Sequence, residues 1–146
     1  RIDEMKKILI VNANYYKDIS SNLIYGAKKK LNDHKFKVSI ISVPGIFEIP
    51  VTIIKYIRKF DGFLALGCVI KGQTPHFDFI SKSTFDAIMN ISVNFSKPVG
   101  NGIITSLNMK QALDRSLFNK KLLMSNKGSE AANAVISVLI NEPKKI

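Results

Sequence analysis

Four short apolar runs, each followed by a stretch with helical spacing, constrain this chain more than any other feature. The runs are "KKILIVN" (6–12), "KFKVSIISV" (35–43), "DGFLALGCVI" (61–70) and "KPVGNGIITS" (97–106). They are short and rich in Ile, Val and Leu, which suits strands buried on both faces. The segments between them repeat apolar residues every three or four positions. In "ISSNLIYGAKKKLND", Ile19, Leu23, Ile24, Ala27 and Leu31 fall on one face, and Lys28 to Lys30 come late, where the helix dipole favours cations. "VPGIFEIPVTIIKYIRKF" opens on a Pro-Gly turn and continues as a helix, with Glu48 and Pro50 suited to its first turn. "FDFISKSTFDAIMNISVNF", "NMKQALDRSLF" and "NKGSEAANAVISVLINE" are the remaining helices, with Asn108 and Asn126 as N-caps of the last two. Strand alternating with helix four times, then one extra helix, predicts an α/β fold. Its expected form is a three-layer sandwich, a four-stranded parallel sheet with helices on both faces.

Composition narrows the class. The 146 residues, 46% of them hydrophobic, suffice for one core-bearing domain spanning 1–146, and no linker, repeat or low-complexity tract divides them. No apolar run approaches the roughly 20 residues that span a bilayer, so no membrane partner is expected. Cys68 is the sole cysteine, which excludes an internal disulfide and any multi-cysteine metal site; no metal is expected. The cytoplasm is the expected location, or an organelle where a targeting segment precedes Arg1. A net charge of +11 invites anionic partners, yet no basic-aromatic motif of a nucleic-acid reader is present, and nucleic acid is not expected as a partner.

In open α/β sheets, ligands bind at the carboxyl ends of the strands. Three conspicuous clusters fall there: Tyr15 and Tyr16 after the first strand, "VPGIFE" after the second and "KGQTPH" after the third. Tyr15 offers a face for a flat heterocycle. Glu48 can accept hydrogen bonds from a ligand, or simply occupy a helix first turn. Gln73 and Thr74 precede a helix, where free N–H groups and a hydroxyl suit a phosphate, with Lys71 adding charge. His76 carries an imidazole that can move protons. Arg115 ends a helix with a planar fork suited to phosphate. Lys127 begins a helix, an unfavourable place for a cation by dipole logic. Cys68 reads as an unactivated thiol at a strand end. His34, in "NDHKFK", reads as a solvated turn residue.

In order along the chain, "VPGIFEIP", "LGCVIKGQTPHFDFI", "PVGNGIIT", "QALDRS" and "NKGSEAA" resemble the blocks of the lumazine synthase family of riboflavin biosynthesis. The resemblance covers nearly the whole chain. It implies a flavodoxin-like fold and a transferase that needs no cofactor. The implied reaction condenses 5-amino-6-(D-ribitylamino)uracil with 3,4-dihydroxy-2-butanone 4-phosphate to 6,7-dimethyl-8-ribityllumazine, phosphate and water. By position, Tyr15 matches the aromatic that stacks on the pyrimidine. Ile46, Phe47 and Glu48 match the segment binding the ring and ribityl chain, and Cys68, Val69 and Ile70 match the wall of the ring pocket. Gln73, Thr74 and Arg115 match the phosphate ligands, and His76 matches the proton donor. Asn101 and Lys127 match pocket positions, and Asn101, Arg115 and Lys127 match positions that a neighbouring subunit or the later helices bring to the site. Four positions depart from the family pattern: Asn14 and Lys71 stand where arginine is common, Tyr15 where Phe or Trp is usual, and Asn101 where a bulky apolar residue is common. Of these, Asn14 and Asn101 motivate an alternative, a catalytically weak relative that binds flavin-like or ribityl-pyrimidine ligands.

Two helices carry apolar residues around more than one stripe. Phe79, Ile80, Phe85, Ile88, Met89, Ile91, Val93 and Phe95 do so in one, and Ala131, Ala132, Ala134, Val135, Ile136, Val138, Leu139 and Ile140 in the other. Such helices need a second partner, and a further copy of the chain is the expected one. "SLFNKKLLMSNKG" is longer than the matching segment of capsid-forming members and resembles that of pentameric ones, so the expected assembly is a homopentamer with sites between adjacent subunits.

Overall fold

The computed structural model describes residues 5–118 and 126–146. Its elements follow the expected alternation: β1 (Lys7–Ala13), α1 (Lys17–Asp33), β2 (Lys37–Val43), a 3-10 turn (Ile46–Glu48), α2 (Ile49–Lys55), β3 (Gly62–Ile70), α3 (His76–Phe95), β4 (Val99–Ser106), α4 (Met109–Ser116) and α5 (Lys127–Ile140). All strand pairs are parallel, in the order β2-β1-β3-β4. This is the flavodoxin-like order, with the crossover placing β1 beside β3.

Strand side chains alternate between two layers. Ile8, Ile10, Leu64, Leu66 and Cys68 point to one side, where Ile19, Leu23, Ala27 and Leu31 of α1 and Ala131, Ala132, Val135 and Ile136 of α5 cover them. Leu9, Val11, Ala13, Phe63 and Ala65 point to the other, against Ile49 and Ile53 of α2 and Ile88 and Ile91 of α3. Both proposed asparagine caps form. Asn108 Oδ1 accepts from Gln111 N–H at 2.9 Å, and Asn126 Oδ1 from Ser129 N–H at 3.1 Å.

Three local expectations differ from the structure. The segment after β2 begins as a 3-10 turn, and α2 stops at Lys55, short of "KYIRKF", where Tyr56 N–H and Ile57 N–H form turn bonds to Ile53 and Ile54 carbonyls. β2 is half-exposed, with Lys37, Ser39, Ile40 and Ser42 open, because it is the sheet edge and pairs on one side only. The core-facing side of α3 holds Ser81 and Thr84 beside Ile88 and Ile91, while Phe79, Met89 and Val93 face outward. The segment that carries the pentamer expectation includes 119–125, which lie outside the described residues.

Candidate active site

The carboxyl ends of β1, β2 and β3 converge, and the loops leaving them hold most of the candidate residues. Tyr15, between β1 and α1, is 75% exposed, and its ring stands edge-on to Tyr16 with centroids 4.9 Å apart. An exposed ring fixed by a neighbouring ring is a ready platform for a planar ligand. Ile46 is buried beneath the 3-10 turn, and a Cβ at Gly67 would press on its Cγ2 and on Ala13 Cβ. Glycine at 67 therefore lets the turn sit directly on the end of β3. Glu48 Oε1 accepts Gly45 N–H at 2.9 Å, and the Glu48 carbonyl accepts the Thr52 hydroxyl at 2.8 Å. The carboxylate is thus oriented by half of a capping box, with one oxygen engaged.

At the end of β3, Cys68 is buried and Val69 and Ile70 are half-buried. Burial pushes the Cys68 thiol up to about 11, only partly opposed by a hydrogen bond with Ser106. It is a neutral thiol at physiological pH and contributes shape, not nucleophilicity. Tyr16 is likewise raised, first by desolvation and then by Cys68 and Tyr15. Beyond Lys71, whose N–H is bonded to the Ser106 carbonyl at 2.9 Å, Gln73 and Thr74 form an exposed bend just ahead of α3. His76 is the first residue of α3 and is exposed.

His76, Phe47, Phe79, Ile80 and Ser83 line one cleft of about 430 Å³. Phe79, Ile80 and Ser83 were not singled out as site residues from the sequence. The signal was present, since they follow His76 at three, four and seven residues and so share its helix face.

Among the candidate residues Phe47 and His76 line that cleft; Tyr15, Glu48, Gln73, Thr74, Asn101, Arg115 and Lys127 do not. Asn101 is the third residue of β4, opposite Ala65, and its Oδ1 accepts Ile103 N–H at 3.0 Å. Five residues, about 16 Å of strand, separate it from the carboxyl end of β4 at Ser106. Arg115 and Lys127 belong to α4 and α5 and are drawn near each other by Asn126. Its Nδ2 donates to the carbonyls of Ser116 at 2.7 Å and Asn22 at 2.8 Å. Arg115 Nη1 is buried without a hydrogen-bond partner among the described residues. A buried guanidinium nitrogen in that condition is strongly undersatisfied, and an anion is its natural complement.

The likeness to known proteins is extensive. A family model described as 6,7-dimethyl-8-ribityllumazine synthase matches residues 5–141. A protein named 6,7-dimethyl-8-ribityllumazine synthase from Campylobacter jejuni subsp. jejuni serotype O:23/36 is 40% identical over 143 residues, covering 94% of this chain and 90% of the relative. A protein of the same name from Afipia carboxidovorans is 39% identical over 140 residues, 91% of this chain and 83% of that one. Another, from Agrobacterium fabrum, is 38% identical over 139 residues, 90% of this chain and 91% of that one. On that match over nearly its whole length, this chain belongs to the 6,7-dimethyl-8-ribityllumazine synthase family.

Proposed function

We infer that the chain forms 6,7-dimethyl-8-ribityllumazine from 5-amino-6-(D-ribitylamino)uracil and 3,4-dihydroxy-2-butanone 4-phosphate, in a site completed by a second copy of itself. One observation carries the shared site. The loops after β1, β2 and β3 leave the carboxyl edge of the sheet, whereas Asn101 stands in β4 about 16 Å of strand back from that edge, and Arg115 and Lys127 belong to α4 and α5. A neighbouring subunit that brings those three residues to that edge gives one site all of its parts.

In that site Tyr15 stacks on the pyrimidine, and Glu48, through the oxygen not held by Gly45, takes hydrogen bonds from the ring or ribityl chain. Ile46, Phe47 and the backbone of Cys68 to Ile70 wall the pocket. Gln73, Thr74 and Arg115 hold the phosphate, the arginine as a fork. The 5-amino group attacks the ketone carbon, and loss of water leaves an imine. Departure of phosphate gives an enol, which tautomerises. The ribityl-bearing nitrogen then closes the second ring with loss of a second water. His76 moves the protons, and Arg115 stabilises charge on the leaving phosphate. Holding two reactants in register supplies much of the acceleration.

The uncovered faces of α3 and α5 support an oligomer, and a pentamer is the state proposed. No described helix is long and apolar enough to cross a membrane; the cytoplasm is the proposed location. Relatives named as synthases over most of the chain support the enzyme over the binding-protein reading.

The test mixes purified protein with both substrates and follows lumazine absorbance above the spontaneous background. The expected result is acceleration that falls by about 10²-fold or more in His76→Ala. Arg115→Ala is expected to lower kcat/KM strongly, with light scattering unchanged at a five-subunit mass. Background-level rates in the unaltered protein would refute the enzyme, and any other mass would refute the pentamer.

A further inference from the structure

A second concave feature lies at the opposite end of the sheet. Lys7 and Lys37 begin β1 and β2 and are direct partners in the parallel register. By alternation they share the sheet face of Leu9, Val11 and Ile41, on strands about 4.8 Å apart. Lys59, beyond α2, comes to the same place. These three exposed lysines, with Val38, Ser39, Tyr56 and Phe60, line a cleft of about 510 Å³. The ammonium groups of Lys55 and Lys59 lie 5.6 and 6.0 Å from the Tyr56 ring centroid, although Lys55 does not itself line the cleft.

Like charges placed directly opposite on neighbouring strands repel and destabilise the pair. The nearby Asp61 carboxylate accepts the backbone N–H of Lys7 at 2.8 Å. Among the described residues, no ion pair involves Lys7, Lys37 or Lys59. The cleft thus gathers positive charge that no ion pair neutralises among the described residues.

We propose that this cleft binds an oligophosphate, a short chain of phosphate groups either free or carried on a nucleotide. Ammonium groups act as point charges toward phosphate, and the Ser39 hydroxyl supplies a neutral donor. A nucleic-acid strand fits less well. The Tyr56 ring is taken by lysine ammoniums, and the Phe60 ring packs edge-on against Phe63 at 6.1 Å. No open aromatic face is left for base stacking. The cleft lies about 20 Å of strand away from the candidate active site, so the proposal stands independently of the reaction assigned there.

The test is calorimetric titration of the intact, assembled protein with sodium tripolyphosphate, repeated with ATP. Saturable binding is expected at one site per chain, weakened about tenfold or more in Lys37→Met and in Lys59→Met. The double variant Lys28→Met/Lys29→Met removes twice the charge of either single variant, from α1, and is expected to bind as the unaltered protein does. Equal affinities for tripolyphosphate and ATP identify the free chain as sufficient, whereas tighter ATP binding identifies a nucleotide. Lys37→Met relieves the repulsion, so its melting temperature without ligand is expected at or above that of the unaltered protein, with no rise on adding tripolyphosphate. Three outcomes overturn the proposal: unchanged binding in Lys37→Met, equal loss in the α1 double variant, or loss in Arg115→Ala, which would place the anion in the active site instead.

Discussion

The two faces of the sheet are built from similar amounts of apolar sequence and finished differently. On one, α1 and α5 close over the strands. Gly128 allows that closeness, since a Cβ there would collide with the Leu23 carbonyl, and Asn126 ties α1, α4 and α5 together through three hydrogen bonds. On the other, α2 is short, and α3 turns two hydroxyls, Ser81 and Thr84, inward without partners among the described residues. Meanwhile Phe79, Met89 and Val93 face outward, with the Lys82–Asp86 ion pair among them at 2.6 Å. The first face is closed over its strands by its own chain, with Val138 and Ile140 near the end of α5 left exposed. The second spends its apolar residues outward, the pattern of a surface that another subunit covers.

The contrast can be broken in order of effect. Leu23→Ala, in the closed face, is expected to destabilise by about 3 kcal/mol, read by chemical denaturation. Asn126→Ala removes a cap and leaves two carbonyls unpaired, for a loss of about 2 kcal/mol by the same measurement. Val93→Ser, in the open face, is expected to change the stability of the dissociated chain by less than about 0.5 kcal/mol while lowering the assembly mass in light scattering. If Val93→Ser kept the full mass while Leu23→Ala lost it, the assignment of the two faces would be reversed.

The smallest effect concerns pH. Cys68 has its pKa raised to about 11 from an ordinary 9.0, so the folded state keeps the thiol neutral where the unfolded chain ionises. This stabilisation is fully present below pH 9 and is lost as pH rises toward 11. Cys68→Ser is expected to flatten that decline in a melting-temperature series, and thiol labelling of the folded protein is expected to stay slow until strongly alkaline pH. Rapid labelling near pH 8 would contradict the burial argument.

Much of the site was legible because its parts follow strand ends, and strand ends are local features. Tyr15, Glu48 and the Gln73–Thr74–His76 loop each lie within a few residues of an apolar run that ends. The caps at Asn108 and Asn126 were legible for the same reason, since a cap acts over three residues. The second role of Asn126 was not, because its acceptors at Asn22 and Ser116 lie far away in sequence or in another helix. The extent of α2 was misjudged because "KYIRKF" keeps helical spacing while its backbone turns.

The sequence by itself determined the alternation of strand and helix, the parallel sheet, the family and the identity of the candidate site residues. These follow from period, length and short motifs, which act between near neighbours in the chain. Only the tertiary structure decided that β2 is a half-exposed edge, which face of α3 looks outward, and that Asn126 joins α4 and α5 to α1. It also set Lys7 beside Lys37. Those facts depend on strand order and register, which bring together residues that no local pattern connects.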